Sequence, residues 1–197
     1  MEVLDRQFYL RDAKTVAREL LGKTIVRKIG GDKLILEITE TEAYLGIEDA
    51  ACHSFGGRRT ARTEVMYGLG GHCYIYFIYG MHYMLNAVTG REGDPCAVLI
   101  RSGNILAGHN IISKLRFGVK YEELSRSQKR SLVDGPGKIC KALSITRHEN
   151  GLDLTASDLI ICHGQPGAFN TQVGARIGVD YAGEAALWQL NFKLRRT

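Results

Sequence analysis

Apolar and polar residues follow two different periods along the first quarter of the chain. Asp12 can cap a helix that ends at Gly22. The inward face of that helix carries Val16, Ala17, Leu20 and Leu21. A period of two then predicts strands over residues 24–28 and 34–44, and the glycine-rich turn at 30–32 joins them as a hairpin. The chain therefore opens with a helix followed by a β-hairpin.

Strand patterns dominate the middle of the chain and return near its end. A second hairpin is predicted from residues 73–79 and 82–88, with Tyr79-Gly80-Met81 at its turn. Further strands are predicted at 96–101, 159–162, 175–179 and 187–194. Helices are predicted at 106–117 and, after Gly135-Pro136, at 139–143, while 121–132 is a polar helix or a loop. Because strands and helices do not alternate regularly, these patterns favour one α+β domain, residues 1–197, around a mainly antiparallel sheet.

Composition and charge narrow the class of protein. A length of 197 residues fits one domain, and 45% apolar with 24% charged residues is an ordinary globular balance. The net charge of +5 permits a polyanionic partner without requiring one. No apolar run reaches the roughly 18–20 residues of a membrane helix, and the charged N-terminus does not fit a signal peptide. We therefore expect a cytoplasmic protein with no membrane partner.

The cysteines and histidines show no pattern of a metal site. The five cysteines form no CxxC pair and the six histidines have no metal-ligand spacing, so we expect reduced thiols, no metal and no cofactor. The sequence contains no HExxH, GxSxG, GxGxxG or Walker motif. Pro95-Cys96 lacks the second cysteine that a zinc deaminase needs. Metalloprotease, serine hydrolase and nucleotide-binding chemistry are not indicated.

Residues 46–71 form a glycine-rich stretch without clean periodicity. A loop of this length inside a compact domain is commonly functional. It carries Arg58, Arg59 and Arg62, and Lys138 lies near a predicted helix start, where phosphate oxygens bind well. Each of these cations is by itself ordinary surface charge, and only the group as a whole suggests a phosphate-bearing partner.

Two carboxylates and a phenol share one face of the second predicted strand. Regular alternation points Glu40, Glu42 and Tyr44 to the same side. Such a face is either a solvated sheet edge, which is the commoner arrangement, or one wall of a polar cleft. The residues alone leave both interpretations open.

The second predicted hairpin is unusually aromatic. Tyr74 and Tyr76 share one face, and Tyr79 stands at the tight turn. Tyrosines pack well in sheets, so ordinary structural use is one interpretation. Aromatic faces also stack on nucleobases, and a ring at a hairpin tip suits a wedge between stacked bases better than a core position.

Six ordered motifs together resemble those of one known family. The first is ETEAYLG at 40–46, which continues to His53-Ser54 and Gly56-Gly57-Arg58, and the second is YIYFIYGM at 74–81, which continues to Leu85-Asn86. The others lie at 97–101, 135–138, 176–179 and 182–184. Over residues 8–192 the chain resembles the alkyladenine (3-methyladenine) DNA glycosylase family of the animal and bacterial type.

This resemblance implies a fold and an activity. The expected fold is a single mixed domain around a curved, mainly antiparallel sheet with a protruding β-hairpin that enters the DNA minor groove. The expected enzyme is a monofunctional DNA glycosylase of base excision repair, monomeric and without a cofactor. It would flip damaged purines, of the 3-methyladenine, 7-methylguanine, hypoxanthine and ethenoadenine class, out of double-stranded DNA. It would then hydrolyse the N-glycosidic bond and leave an abasic site.

The resemblance also implies roles for individual residues. Glu42 would activate the attacking water, and Arg101 and the carbonyl of Ile177 would help to hold it. The residues expected to line the pocket and bind the base are Tyr44, His53, Tyr76, Asn86 and Leu99, of which Asn86 would crowd the 2-amino group of guanine. Tyr79 would be the wedge. The other expected DNA contacts are Met81, Arg58, Thr60, Arg62, Gly137 and Lys138.

The sequence departs from the family pattern at two places, and two other functions would use some of the same residues. Phe55 stands where a more polar residue is expected, and Leu187-Trp188-Gln189-Leu190 lacks the proline-tryptophan-arginine order associated with the family. A binder of distorted DNA that does not cleave it would use the same wedge and pocket but would need neither Glu42 nor Arg101. A β-sheet RNA-binding domain would instead present its tyrosines on an open face without a pocket.

Overall fold

Eight strands pair into one curved antiparallel sheet. The computed structural model describes residues 1–165 and 167–196. The strands are β1 (Thr24–Ile29), β2 (Asp32–Tyr44), β3 (Cys73–Ile78), β4 (His82–Thr89), β5 (Cys96–Ala107), β6 (Leu159–Cys162), β7 (Phe169–Gly174) and β8 (Asn191–Arg196). The order across the sheet is β3-β4-β5-β2-β1-β6, and β8 pairs with both β2 and β7. The predicted α+β fold with a mainly antiparallel sheet is confirmed.

Strand β2 is the centre of the sheet because it pairs with three neighbours. It forms the predicted hairpin with β1, it pairs with β5 along most of its length, and its last part also pairs with β8. The register against β5 shifts on both sides of Glu40. Such bulges bend a strand and increase its twist. On the edge of β2 opposite β5, the pairing passes from β1 to β8 in the same region.

Five α-helices and several short 3-10 helices flank the sheet. The α-helices are α1 (Arg6–Tyr9), α2 (Ala13–Glu19), α3 (His109–Phe117), α4 (Arg126–Arg130) and α5 (Pro136–Ala142). The Asp12 carboxylate accepts the Thr15 N–H over 2.9 Å, so the predicted cap of α2 is present. The 3-10 helices are Gly46–Glu48, Phe55–Gly57, Glu64–Tyr67, Tyr121–Glu123, Arg147–Glu149 and Asp180–Leu187. Three of them lie in the glycine-rich stretch at 46–71.

The core and the pocket lie on opposite faces of the sheet. Ile38 and Ala43 of β2, with Val98 and Ile100 of β5, are buried in the main core cluster together with residues of α2 and α5. The intervening residues of β3, β4 and β5 point to the other face. A smaller cluster of Cys52, Met66, Tyr74, Val88 and Ala97 lies there. The alternation of the strands therefore separates packing on one side from chemistry on the other.

Several element predictions were wrong at their boundaries or altogether. The helix predicted at 139–143 begins earlier, as α5, and the strand predicted at 96–101 continues to Ala107. Residues 175–179 are not a strand, because the chain leaves the sheet after Gly174. The predicted strand 187–194 begins only at Asn191, since Leu187 ends a 3-10 helix. The predicted helix at 106–117 begins at His109, after the left-handed Gly108, because β5 continues to Ala107 in pairing with β2.

The sequence also predicted that the chain has no membrane helix and that its thiols are reduced. Among the described residues no helix is long and apolar enough to cross a membrane. All five cysteines lie within the described part of the chain and are free thiols.

Candidate active site

One transverse row of residues crosses five strands on the pocket face of the sheet. Tyr74 of β3 pairs with Asn86 of β4, Asn86 pairs with Leu99 of β5, and Leu99 pairs with Glu42 of β2. Glu42 in turn pairs with Asn191 of β8. All five side chains are buried. Strand register therefore places an aromatic ring, two amides, an apolar side chain and a carboxylate in one line.

A cavity of about 290 Å³ lies over this row. Its walls include Tyr44, His53, Tyr76, Arg101, Ile177 and Tyr181, and Asn86 and Leu99 also line it. The volume is close to the lower limit of roughly 300 Å³ for small-molecule sites. The predicted base-binding residues, with Arg101 and Ile177, therefore line one cavity, and the strand pairing places Glu42 directly beneath it.

Glu42 is fully buried and accepts four hydrogen bonds. Its Oε1 accepts the Ile177 backbone N–H over 2.8 Å and the Asn191 side-chain amide over 3.0 Å. Its Oε2 accepts the Tyr44 hydroxyl over 3.0 Å and Arg101 Nη1 over 3.1 Å. A carboxylate has about four lone-pair sites, so these donors saturate it. Of the two interpretations of the strand face, the wall of a polar cleft is the one the structure supports.

Glu40 extends the charged cluster without entering the cavity wall. The Asn191 amide donates to its Oε1 over 2.8 Å, and Arg101 Nε and Lys193 Nζ lie 3.4 Å and 3.3 Å from the same oxygen. Arg101 therefore spans both carboxylates. Two cations beside two carboxylates balance the local charge, which lowers the cost of burying Glu42.

The aromatic walls of the cavity are neutral. The rings of His53 and Tyr76 meet edge to face with centroids 4.6 Å apart, and Tyr74 lies 5.5 Å from Tyr76. Burial raises the pKa of Tyr74 to about 12, and burial with the nearby Glu42 charge raises the pKa of Tyr44 above its ordinary value. These phenols stay protonated at neutral pH and offer uncharged, electron-rich faces to a flat ligand.

The tautomer of His53 follows from its two partners. Arg62 Nη2 lies 3.4 Å from His53 Nε2, and because a guanidinium can only donate, Nε2 must be the acceptor. The proton is then on Nδ1, which donates to the Tyr74 hydroxyl over 2.9 Å. Burial and the Arg62 charge lower the pKa of His53 to about 4. His53 is therefore a neutral, oriented ring at neutral pH.

Asn86 and Leu99 shape the floor of the cavity. The Asn86 amide nitrogen donates to the Tyr74 carbonyl over 3.0 Å and to the Met84 carbonyl over 3.4 Å. These two bonds fix the orientation of the amide and leave its oxygen as the group available to a ligand. Leu99 is buried beside it and supplies an apolar surface.

The tip of the β3–β4 hairpin is exposed beside the cavity. Tyr79 is 76% exposed and has a φ of 54°, in the left-handed region that non-glycine residues rarely adopt. Met81 is exposed next to it. Directly after the turn, His82 of β4 lies against α5, and a Cβ added at Gly137 would lie 3.0 Å from the His82 ring, so a side chain there would require the ring to shift. The nearby Lys138 pairs with Asp134 over 2.7 Å.

The basic loop presents its arginines in different ways. Arg58 and Thr60 are exposed and line a recess of about 550 Å³ beside the cavity, together with Arg62. Arg62 also lies 5.3 Å from the Tyr76 ring centroid, at the edge of the main cavity. Arg59 instead forms a paired contact with both oxygens of Glu64, at 2.9 Å and 2.6 Å. The Arg59 guanidinium is therefore already paired with a carboxylate of the protein.

Comparison with known proteins agrees with this arrangement. The family model described as Methylpurine-DNA glycosylase (MPG) matches residues 7–196. The chain belongs to the methylpurine-DNA glycosylase family. It is therefore a DNA glycosylase, an enzyme of DNA repair that hydrolyses N-glycosidic bonds and has DNA as its partner.

Bacterial relatives match nearly the whole glycosylase. A protein of Desulfitobacterium hafniense is 47% identical over 194 residues, which cover 98% of this chain and 96% of the relative. A protein of Clostridium botulinum (strain Loch Maree) is 45% identical over 96% of this chain and 95% of the relative. A protein of Clostridium acetobutylicum is 43% identical over 96% and 94%. All three are provisionally named 3-methyladenine DNA glycosylases.

The glycosylase site contains residues to which the sequence pattern assigned no role. Asn191 contacts both carboxylates, and Tyr181 and Tyr74 line the cavity. Tyr74 is part of the aromatic motif, which could have indicated it. Asn191 carries no sequence signal, because its partner Glu42 lies 149 positions earlier. For Ile177, the contact with Glu42 is made by the backbone N–H, whereas the resemblance assigns a role to its carbonyl.

Proposed function

We propose that this glycosylase excises alkylated purines such as 3-methyladenine from double-stranded DNA, with Glu42 activating the attacking water. The observation that carries the proposal is the buried Glu42 carboxylate, bonded to Arg101 beneath an aromatic cavity. The names of the bacterial relatives point to the same substrate. Deaminated and ethenylated purines belong to the same proposed class.

The walls of the cavity suit a flat, electron-poor base. Tyr44, His53 and Tyr76 are neutral rings that line the cavity, and a purine is expected to stack between them. An alkylated purine is cationic, and a cation over an aromatic face gains roughly 0.5–2 kcal/mol. The buried Asn86 side chain would then crowd the 2-amino group of an undamaged guanine. Selection of the damaged base is thus assigned to the aromatic rings and Asn86.

Glu42 has the chemistry of a general base. Cleavage of the N-glycosidic bond develops positive charge on the sugar, which a carboxylate both faces and relieves by activating water. Because all four lone-pair sites of Glu42 are occupied, water must replace one donor. The Tyr44 hydroxyl is the donor we expect to yield, since Tyr44 lines the cavity and the incoming water can donate an equivalent hydrogen bond to the carboxylate, worth roughly 1.5–3 kcal/mol.

Access to the cavity requires the nucleotide to leave the duplex. Glu42 lies beneath the cavity floor, where no base inside a stacked helix can reach it, so the damaged nucleotide must flip out. Tyr79 and Met81 at the exposed hairpin tip are the proposed wedge that fills the gap. Arg58, Thr60 and Arg62, with Gly137 and Lys138, are the proposed backbone contacts. Because one chain supplies every group, we expect the enzyme to act as a monomer.

Release of free base from defined duplexes tests the proposal. Duplexes carrying a single 3-methyladenine, 7-methylguanine, hypoxanthine or ethenoadenine are incubated with the enzyme, and an undamaged duplex serves as the control. We expect free 3-methyladenine and an abasic site, without strand cleavage by the enzyme itself. Tight binding of the damaged duplexes with no base released from any of them would instead indicate a protein that only binds distorted DNA.

A further inference from the structure

A fully buried ion pair lies directly behind the cavity. Arg176 Nη1 and Nη2 lie 2.5 Å and 2.8 Å from the two carboxylate oxygens of Asp49, and both side chains are inaccessible to solvent. The arrangement is bidentate, with two parallel charge-assisted hydrogen bonds that define a geometry as well as an energy. Residues 49 and 176 are far apart in sequence, so the pair joins two separate segments of the chain.

The two terminal nitrogens of Arg176 also connect two further backbone segments. Nη1 donates to the carbonyl of Ala43, the residue between Glu42 and Tyr44. Nη2 donates to the carbonyl of Ala185 in the 3-10 helix Asp180–Leu187. Both hydrogen bonds are 3.0 Å long. One guanidinium thus holds the end of β2 against the segment that follows β7.

Asp49 connects the loop that carries His53. Its Oδ2 accepts the Leu45 N–H over 2.9 Å and its Oδ1 accepts the Ala51 N–H over 3.0 Å. Ala51 is two residues before His53, and Leu45 directly follows Tyr44. The carboxylate therefore fixes the backbone between two residues that both line the cavity.

Arg176 also lies next to the groups that are proposed to bind the base and to hold Glu42. Its guanidinium carbon lies over the Tyr44 ring, 4.9 Å from the ring centroid. The next residue, Ile177, donates its backbone N–H to Glu42. A small displacement of Arg176 would therefore move both a wall of the cavity and a hydrogen-bond donor of the general base.

A buried ion pair does not by itself indicate that its residues serve to stabilise the fold. Removing two charges from water costs several kcal/mol per ion, and apolar side chains of similar volume often stabilise a protein at least as well. Arg176 instead donates four hydrogen bonds to three chain segments, and Asp49 accepts two from the backbone. Together these bonds fix the relative positions of the segments. Misplacement of a reacting group by about 1 Å can cost about 100-fold in rate.

We propose that Arg176, held by Asp49, is a positioning residue that sets Tyr44 and the Ile177 amide against Glu42. The proposal rests on the proposed function of the same site. Lysine at position 176 would keep the positive charge but cannot form the bidentate contact or reach both carbonyls. We expect R176K to lower the single-turnover rate of 3-methyladenine release 10- to 100-fold, while the affinity for the damaged duplex changes less than threefold.

A second buried pair provides a matched control. Arg27 and Glu149 lie 2.7 Å apart, each 12% exposed, and neither lines the cavity. R27K removes a comparable contact from the fold and should lower the melting temperature without changing the release rate. If R176K does not fold, D49N replaces it, because asparagine keeps one acceptor and the shape of the aspartate. Equal release rates for wild type, R27K and the folded position-176 or position-49 variant would overturn the inference.

Coupling to Tyr44 separates positioning from general loss of structure. Y44F removes the hydroxyl that donates to Glu42. If Arg176 acts through Tyr44, the fold-change in release rate caused by Y44F should differ more than threefold between the wild-type and R176K backgrounds. If R176K is unfolded, D49N serves as the second background. Purely additive effects would overturn the positioning role. No release by the wild-type enzyme would overturn the proposed function itself, whereas an active wild type with additive variants overturns only this inference.

Discussion

Asn191 and Glu42 face each other on paired strands, and the amide of Asn191 donates to Glu42 Oε1 over 3.0 Å. The same amide donates to Glu40 over 2.8 Å, so one side chain spaces two carboxylates that would otherwise repel each other. β8 is therefore part of the candidate active site as well as an element of the fold. Its contribution can be measured separately from that of Glu42.

Replacing Asn191 should impair excision more than stability alone explains. N191L keeps the volume but removes a donor from Glu42, so we expect the single-turnover rate to fall about 10-fold, on the scale of one charged hydrogen bond of roughly 1.5–3 kcal/mol. N104L is the control, because Asn104 donates to Glu37 over 2.9 Å at an exposed site on β5. A rate for N191L equal to that of N104L would contradict the assigned role.

Replacing Glu42 by glutamine should abolish excision while binding persists. The amide cannot take a proton from water, and general base catalysis contributes roughly 10²- to 10⁴-fold. We therefore expect at least a 100-fold loss in release of 3-methyladenine and an affinity for damaged duplex, measured by fluorescence anisotropy, within a few-fold of wild type. E19Q, at an exposed glutamate on α2, should behave as wild type. Release by E42Q at the wild-type rate would rule out the mechanism.

Truncating Tyr79 should weaken base flipping. Loss of a ring that stacks on a base costs about 1–3 kcal/mol, so Y79A should bind damaged duplex roughly 5- to 100-fold more weakly. The fluorescence of 2-aminopurine next to the lesion should rise on binding of wild type and much less with Y79A. L106A removes another exposed apolar side chain, on β5, and should leave this signal unchanged. An identical rise with Y79A would refute the wedge.

The two neighbouring arginines of the basic loop should differ in their effect on salt dependence. Arg59 is bonded to Glu64, whereas Arg58 has no ion-pair partner among residues 1–165 and 167–196. Each phosphate contact contributes about 0.9 to the slope of log affinity against log salt. We expect R58A to reduce that slope by about 1 and R59A to reduce it by much less. Equal reductions would show that Glu64 releases Arg59 to the DNA.

His53 should make the enzyme less stable in mild acid. Its pKa is lowered to about 4 in the folded protein from the ordinary 6.5, so between these values the unfolded chain binds a proton that the folded protein does not. Stability from this group is therefore present above pH 6.5 and is lost as the pH falls towards 4. The expected loss between pH 7 and pH 5 is about 2 kcal/mol.

Urea unfolding at the two pH values measures this loss. H53N should remove most of it, because asparagine does not titrate in this range. H148N, at an exposed histidine, should retain the wild-type pH dependence. If wild type and H53N lose the same free energy of unfolding between pH 7 and pH 5, the neutral, buried state assigned to His53 is wrong.

Local signals in the sequence predicted the local structure well. The cap at Asp12, the turn at 30–32 and the turn at Tyr79-Gly80 act over a few residues, and each produced the expected helix or hairpin. Strand β7 was not predicted, because its residues are mostly exposed and show no apolar alternation. The apolar residues at 175–179 resemble a strand, but their backbone is used to reach Glu42.

The candidate site shows the same division between local and long-range information. The motifs indicated Glu42, Tyr44, His53, Tyr76 and Asn86, and the structure places all of them at one cavity or, for Glu42, directly beneath it. Strand register, which no local pattern encodes, decides that Asn191 meets Glu42. The Asp49–Arg176 pair likewise joins residues 127 positions apart. Asn191, which only strand register brings to Glu42, is therefore a site residue that the sequence motifs missed.

The left-handed backbone of Tyr79 has a consequence for anyone who engineers this enzyme. A non-glycine residue at a φ of 54° costs about 1–2 kcal/mol that glycine would not. A search for stabilising substitutions would therefore favour glycine at this position and would raise the melting temperature while removing the ring from the hairpin tip. Thermostability screens of this scaffold should hold position 79 fixed, because there the most stable protein and the most useful one are different molecules.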